Sequence, residues 1–541
     1  MIAIEMESLL RYKYLITKLT PQEDSMEKFI QKNDNKINGV LNGFDRLVFR
    51  GGLRFLSYTA GMMSFLYAIG VLLKDFGEYA ERTTKRLKES SLEAASRLDR
   101  TIKYLPSSKT KKLPLAKEIA KRDGITDGLI CVLSCVEPCI SFKVFRDRES
   151  KKLVLRPWPR KCLHIYHYWI DPLFGFMSAR IQTWFPFTIH IWINGRECLA
   201  REMDRLHMEY ERRENCFIWI EDVDKAQKLM DEQLQIAWQQ ELDLIALKLN
   251  PAHDGIFGEN KANYYWTIHQ SEWASDVMFK SSSALAEIYP ALAQGAISFF
   301  SSPNVMRFLG RKPHGNFKGE VVSDYKKRPE GIRVKHSVKA NSVKMYDKAG
   351  SILRPETTIN DPKDFKVFRP KQGEPYGEYS WRQMRKSIAD IFRRAQVSQA
   401  SNERYLDALA SLDTDSPLSK LVEPICRPVV WKSKRVRALR PWSQEDQSLI
   451  QTISRGEFNL NGFRNRDILP CLFPDCLSSP TEKRRAAARV TRKLRLLRAH
   501  GVIRKVSKTH RYVFTKKGRG IATAILKFQN VTLKQLNKAA A

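Results

Sequence analysis

Apolar residues change their spacing several times along this chain, and each change marks an expected change of element. Residues 1–110 read as a helical N-terminal region, with the mixed-charge stretch YAERTTKRLKESSLEAASRLDR suited to a solvated helix face. Inside it, Phe55–Leu73 is a charge-free run long enough to span a bilayer. Its Ser, Thr, Gly and Tyr content, and the lack of a second such run, favour a buried core helix. A polar turn region, Pro106–Pro114, marks the first boundary.

Residues 111–260 then read as an α+β unit. After a short helix come the strand-like runs GLICVLSCV, ISFKVFR and KKLVLR about the turn Asp147–Ser150, followed by CLHIYHYWI and TIHIWI. Two helical patterns follow, CLAREMDRLHMEYERREN and DKAQKLMDEQLQIAWQQELDLIALKL, the second closed by Asn250-Pro251. Residues 261–415 read as another α+β unit, with a hairpin over 342–359 and a long helix near Tyr379–Leu412. Residues 416–441 form a basic linker: RPVVWKSKRVRALRPW has six cations and no acid. The fold class is therefore mixed α+β and multidomain.

Residues 442–541 complete it as a winged helix-turn-helix. Ser443 caps a first helix, NGFRNRDILPCLF fits a second, and a third runs from Thr481 or Glu482 to His500, with Gly501 as its C′ residue. Strands VIRKVS and RYVFTKK then flank Lys508-Thr509-His510 as a hairpin. Val490, Leu494 and Leu497 recur at helical spacing and face the core, which leaves Arg485, Arg489, Arg492, Lys493, Arg495 and Arg498 toward solvent or a groove. With Arg435, Arg437, Lys508, His510 and Arg511 these are the candidate nucleic-acid-binding residues.

Charge supports that reading. Lys and Arg outnumber Asp and Glu 93 to 59 in 541 residues, for a net charge of +34, a surplus that calls for a polyanionic partner. Nucleic acid is that partner, with DNA favoured over structured RNA and no membrane role. Nine cysteines and no secretory pattern at the start indicate a cytoplasmic protein.

The chemistry-bearing segment is KMYDKAGSILRPETTI. With Lys348-Ala349-Gly350, after Asp347, as a three-residue hairpin loop closed by a left-handed glycine, Lys344 and Tyr346 share a face with Arg354, Glu356 and Thr358. Tyr346 can attack a phosphodiester, Glu356 can hold Mg2+ or Mn2+, and Lys344 or Arg354 can neutralise charge on phosphorus. These four are the candidate catalytic residues of a metal-dependent nuclease or nicking enzyme. Asp45, Glu272 and Asp276 are further carboxylates that can join Glu356 at a metal. His336, Asp361 and Asp364 lie close by in sequence. A zinc set of Cys131, Cys135, Cys139, Cys162, His164 and His167 lacks the usual two-residue cysteine spacing. The aromatics of RIQTWFPF and NYYW fit a core better than base stacking. No phosphate-cradling GxxxxGK[ST], dinucleotide fingerprint or GxSxG elbow is present, which sets aside the commonest ATPase, Rossmann and hydrolase classes.

Three resemblances attach to these residues. LRAHGVIRKVSKTHRY resembles the last helix and wing of winged-helix domains, which implies a helix in the major groove. Tyr346, Lys348, Arg354 and Glu356 resemble the sheet of rolling-circle replication initiators, which implies tyrosine nicking; His164-Ile165-Tyr166-His167 departs from their His-hydrophobic-His metal motif by one residue. The strings QTWFPF, HQSEWASD, KMYDKAGSILR and LRAHGVIRK resemble a family of long bacterial proteins linked with mobile elements. That last likeness spans nearly the full length and implies no established activity; charge and the winged helix make a DNA-binding protein of a mobile element the expected function, with a structured-RNA binder and a transcriptional regulator as the alternatives.

Overall fold

The computed structural model describes residues 26–529 apart from 259–261, 312–320, 329–330, 372–373, 375–376, 411–419, 421, 456–457, 459–461, 478 and 508. Eleven strands make one sheet. In chain order the strands are β1 (Ile37–Gly52), β2 (Thr101–Tyr104), β3 (Gly128–Arg146), β4 (Leu153–Asp171), β5 (Gly175–Gln182), β6 (Ile189–Ile193), β7 (Tyr210–Arg213), β8 (Cys216–Ile220), β9 (Tyr265–Phe279), β10 (Val321–Arg328), β11 (Gly331–Val338), β12 (Asn341–Lys348) and β13 (Ile352–Ile359). The sheet order is β10-β11-β12-β13-β9-β1-β6-β5-β4-β3-β2, and β7-β8 forms a separate hairpin. The rest is helical segments and short hairpins, a mixed α+β fold.

The chain divides into two compact units interleaved in sequence rather than five consecutive segments. One comprises residues up to Asn38, Val277–Thr357 and Ala400 onward; the other comprises Gly39–Asp276 and Thr358–Gln399. The dividing points fall inside β1, β9, β13 and the helix Ile391–Ala410.

In the second unit, β3 and β4 form a 19-residue antiparallel pair in continuous register from Cys131↔Tyr168 to Arg146↔Leu153, and their turn falls where Asp147–Ser150 was expected. Alternate residues of β5 and β6, such as Ala179, Ile181, Ile189 and Ile191, enter the core with Phe185 and Phe187; burial there lowers free energy by about 25 cal/mol per Å2 of apolar surface. Trp266 and Tyr264 are also buried, while Trp184 and Tyr265 are partly exposed. On the opposite face the helix Lys112–Arg122 covers β3 and β4 through Ala116 and Ile119.

Several sequence expectations change here. Residues 37–52, placed in the helical N-terminal region, form β1, because buried Leu47 and Phe49 alternate with outward Arg46 and Arg50 nearby in a strand period. The run Phe55–Leu73 is not one helix: Thr59–Ala68 is helical between two 3-10 turns, and Tyr67 is 89% exposed while Met62, Phe65 and Leu66 are buried. No single helix among the described residues is long and apolar enough to cross a membrane; the helices Thr59–Ala68 and Leu73–Ser96 would pass together but bend by 100°. The helix predicted over 198–215 stops at Arg205, since His207 turns to φ 52° and Tyr210–Arg213 pairs as a strand. The long helix spans Ile391–Ala410, with residues 380–383 extended before it.

One buried arginine fastens the second unit. Arg196, fully enclosed at the start of the helix Gly195–Arg205, donates to the carbonyls of Leu41 (3.4 Å) and Phe44 (3.3 Å) on β1 and of Ala274 (3.2 Å) on β9. It also pairs with Asp276 at 3.1 Å, with both side chains buried. Gly195 permits this approach: a Cβ there would meet the Phe44 carbonyl oxygen at 2.2 Å. Arg196→Met should cost about 3–5 kcal/mol of unfolding free energy because it removes the buried cation that Asp276 faces, measured by urea titration; a loss below 1 kcal/mol would show that the pair is dispensable.

Candidate functional site

In the first unit the hairpin β12-β13 is present, but its turn differs from the one expected. Three residues, 349–351, separate the strands, and Ala349 (φ 55°) is left-handed together with Gly350 (φ 82°). The side chains still converge. Tyr346 donates its hydroxyl hydrogen to Glu356 Oε2 at 2.8 Å, and Lys344 Nζ lies 2.6 Å from Glu356 Oε1. Glu356 and Arg354 are fully buried, Lys348 is buried and Tyr346 is partly exposed. A phenol hydrogen-bonded to a carboxylate, beside an ammonium, has the composition of an activated oxygen nucleophile. His336 is a core residue, bonded to Ser323 Oγ at 2.6 Å, and burial lowers its pKa to about 4. Asp361 caps a 3-10 turn by accepting from the Lys363 amide; Asp364 closes the same turn.

Asp45 on β1 and Glu272 on β9 occupy neighbouring strands of the second unit, and their buried side chains offer carboxylate oxygens within 4.8 Å of each other. Oxygen donors of this kind suit Mg2+ or Mn2+. Asn215 donates to Asp45 at 2.8 Å, and Arg46 stands 3.9 Å from Glu272. Asp276 is not in this group, since Arg196 holds it. Nor do the cysteines and histidines gather: among the described residues, no three of the zinc candidates come together as ligands. Cys131 is a core thiol that burial pushes up to about 12.

The C-terminal segment has three helices, Gln444–Ile453, Asn465–Leu472 and Pro480–Ala499, then the hairpin Ile503–Lys505 with Tyr512–Phe514, then the helix Lys516–Gln529. Ser443 Oγ accepts from the Asp446 amide, and Gly501 ends the third helix at φ 68°. That helix buries Ala486, Val490, Leu494 and Leu497 and leaves Arg485, Arg489, Arg492 and Arg495 exposed, with Arg498 half-buried. Arg489 lies 4.2 Å over the Phe473 ring, and Arg498 lies 5.1 Å from that of Trp431.

Three candidate contacts change status. Lys493 falls on the buried face and is paired with Glu445 at 2.6 Å, so it is structural. Arg437 spans both oxygens of buried Asp446 at 2.7 and 2.8 Å. Arg511 is partly buried, and desolvation followed by the neighbouring Arg464 charge lowers its pKa. Lys508 lies outside the described residues. Arg435 and His510 are exposed. The segment read as a linker is structured: Val429–Trp431 pairs with Lys434–Val436, while Ile425 and Leu439 enter the C-terminal core. These two apolar residues anchor it despite its charge.

Sequence reasoning missed a polar network in the second unit. Glu137 accepts from Tyr166 (2.7 and 2.8 Å), Arg180 (2.9 Å), Lys112 (3.0 Å) and Cys135 (3.1 Å). Burial alone would raise its pKa, but these donors hold it at about 2. Only the strand register β3-β4-β5 reveals it. No family model, curated protein or solved structure matches the chain.

Because Glu137 is depressed on folding, its stabilisation is present above its unfolded pKa, about 4.5, and is lost as pH falls toward about 2. The difference in unfolding free energy between wild type and Glu137→Gln should therefore shrink over that window, by up to about 3 kcal/mol. A difference that stays constant from pH 6 to 3 would contradict this account.

Proposed function

We propose that this protein binds nucleic acid, DNA in preference to RNA, through a C-terminal winged helix-turn-helix, as a DNA-binding protein of a mobile element. The observation that carries the reading is the helix Pro480–Ala499: its apolar face is buried, and Arg485, Arg489, Arg492 and Arg495 form the exposed one. Guanidinium groups in such a row bind phosphates and reach base edges in a major groove. The helix, helix, helix, hairpin order supports the same reading.

The catalytic arm of the proposal is strand nicking. The Tyr346 oxygen attacks phosphorus and its proton passes to Glu356; the phosphotyrosyl bond forms as the P–O bond to the leaving strand breaks, and that strand's oxygen takes a proton from water to depart as a free hydroxyl. Lys344 neutralises developing charge on phosphorus. The hydrogen bond between Tyr346 and Glu356 supports this arm.

Gently purified protein should carry nucleic acid that DNase removes and RNase does not. Arg485→Ala with Arg492→Ala should weaken duplex binding and lower the slope of log K against log salt by roughly 2. Tyr346→Phe should abolish nicking and the covalent adduct while leaving that binding unchanged. An RNase-sensitive, discrete RNA would replace the DNA reading with an RNA one, and nicking by Tyr346→Phe would remove the catalytic arm alone.

A further inference from the structure

A second cationic centre lies on the open face of the sheet in the second unit. Arg50 on β1 stands directly opposite His190 on β6, and His190 directly opposite Arg180 on β5. Opposed residues on antiparallel neighbours share a face, with Cβ atoms about 5 Å apart. His269 on β9 meets His190 edge-on, with ring centroids 5.8 Å apart. Lys386 is brought alongside β9 by the hydrogen bond from the Ile268 amide to its carbonyl. We propose that Arg50, Arg180, His190, His269 and Lys386 form a phosphate-binding site.

The site is built rather than accidental. Glu137 fixes Arg180 through NH1, so that NH2 points to His190 Nδ1 at 3.1 Å. A guanidinium only donates, so Nδ1 accepts and the His190 proton resides on Nε2, which is left to donate. Glu137 is in turn held by Tyr166 and Lys112, which sets the Arg180 orientation before any ligand arrives. Among the described residues Arg50 and Lys386 have no carboxylate within ion-pairing distance, and Arg50 and His269 are exposed, so the charge is reachable.

The electrostatics point the same way. Burial first, then Arg180, Arg50, His269 and His164, pushes the His190 pKa down to about 3. Burial first, then Lys386, Arg50 and Arg180, lowers that of His269. The other titratable groups facing this pair are Glu137 on β3, Tyr166 on β4 and Lys112. An anion seated among Arg50, Arg180 and Lys386 offsets the repulsion on the exposed His269, so this imidazole takes up the proton on binding while His190 stays the neutral acceptor of Arg180, and binding tightens as pH falls.

This site does not depend on the C-terminal helix. Its phosphate can belong to a nucleic-acid backbone or to a small phosphorylated ligand, and one titration separates them. Inorganic pyrophosphate is titrated calorimetrically into the full chain, in two buffers of different ionisation enthalpy, and then displaced with hexathymidylate. The expected result is saturable binding with proton uptake, weakened at least tenfold in Arg50→Ala/His269→Gln, both exposed positions. Displacement by hexathymidylate assigns the site to nucleic acid, and failure to displace assigns it to a small phosphorylated ligand. Absence of pyrophosphate binding to the wild type, or equal binding by the double variant, overturns the proposal.

Discussion

The second unit depends on a single guanidinium with no access to water. Removing Arg196 from water is costly, and the cost is offset only because each of its faces meets an acceptor: three main-chain carbonyls and the Asp276 carboxylate. Those carbonyls belong to Leu41, Phe44 and Ala274, so one side chain ties β1 to β9. Asp45 follows Phe44, and Glu272 precedes Ala274 by two residues. The positions of two carboxylates are therefore set by an interaction in which neither takes part. Gly195 is a condition of the same arrangement, because a larger residue would push the helix start off the Phe44 carbonyl.

A net charge of +34 suggests a uniformly basic surface, yet the structure sorts its cations into two kinds. Arg196, Lys493 and Arg437 are committed to Asp276, Glu445 and Asp446. Arg394 is enclosed and donates to Ser271 Oγ and to the Ile359 carbonyl, and although burial lowers its pKa to about 10 it stays charged at neutral pH. These cations hold the fold and contribute little to a partner. Arg485, Arg492 and Arg495 on the third C-terminal helix, and Arg50 on β1, are exposed. Long-range attraction of a polyanion depends on all of them, but close contact depends only on the second kind.

How much of this was legible in the sequence follows from how local each feature is. The meeting of Lys344, Tyr346 and Glu356 was legible because a hairpin register is a local property: two strands joined by a tight turn leave few alternatives. The left-handed Gly350 was legible from residue type, whereas Ala349 beside it was not, because Ala at positive φ is uncommon. Asp45 and Glu272 were recognisable as candidates by residue type, but their proximity depends on strand order, which no spacing in the chain encodes. Lys493 was misassigned because helical periodicity places it at the edge of the apolar stripe, and Glu445, which draws it inward, is 48 residues away. The network around Glu137 was invisible for the same reason: its donors come from residues 112, 135, 166 and 180.

Pairing alone does not decide whether a cation is available. Arg437 gives both ends of its fork to Asp446, which neutralises its charge although the side chain stays exposed. Arg180 gives one end to Glu137 and the other to a neutral imidazole. An imidazole nitrogen is a weak competitor for a guanidinium compared with a phosphate oxygen, because hydrogen bonds between charged groups are roughly twice as strong as neutral ones. Glu137 thus has a double effect: it cancels part of the local charge, and it holds the remaining edge of Arg180 in a fixed direction. A ligand that meets a prefixed donor loses less rotamer entropy than one that must order a free side chain, by about 0.5–1.5 kcal/mol per side chain. The carboxylate that makes this sheet face less positive also makes its positive charge more useful.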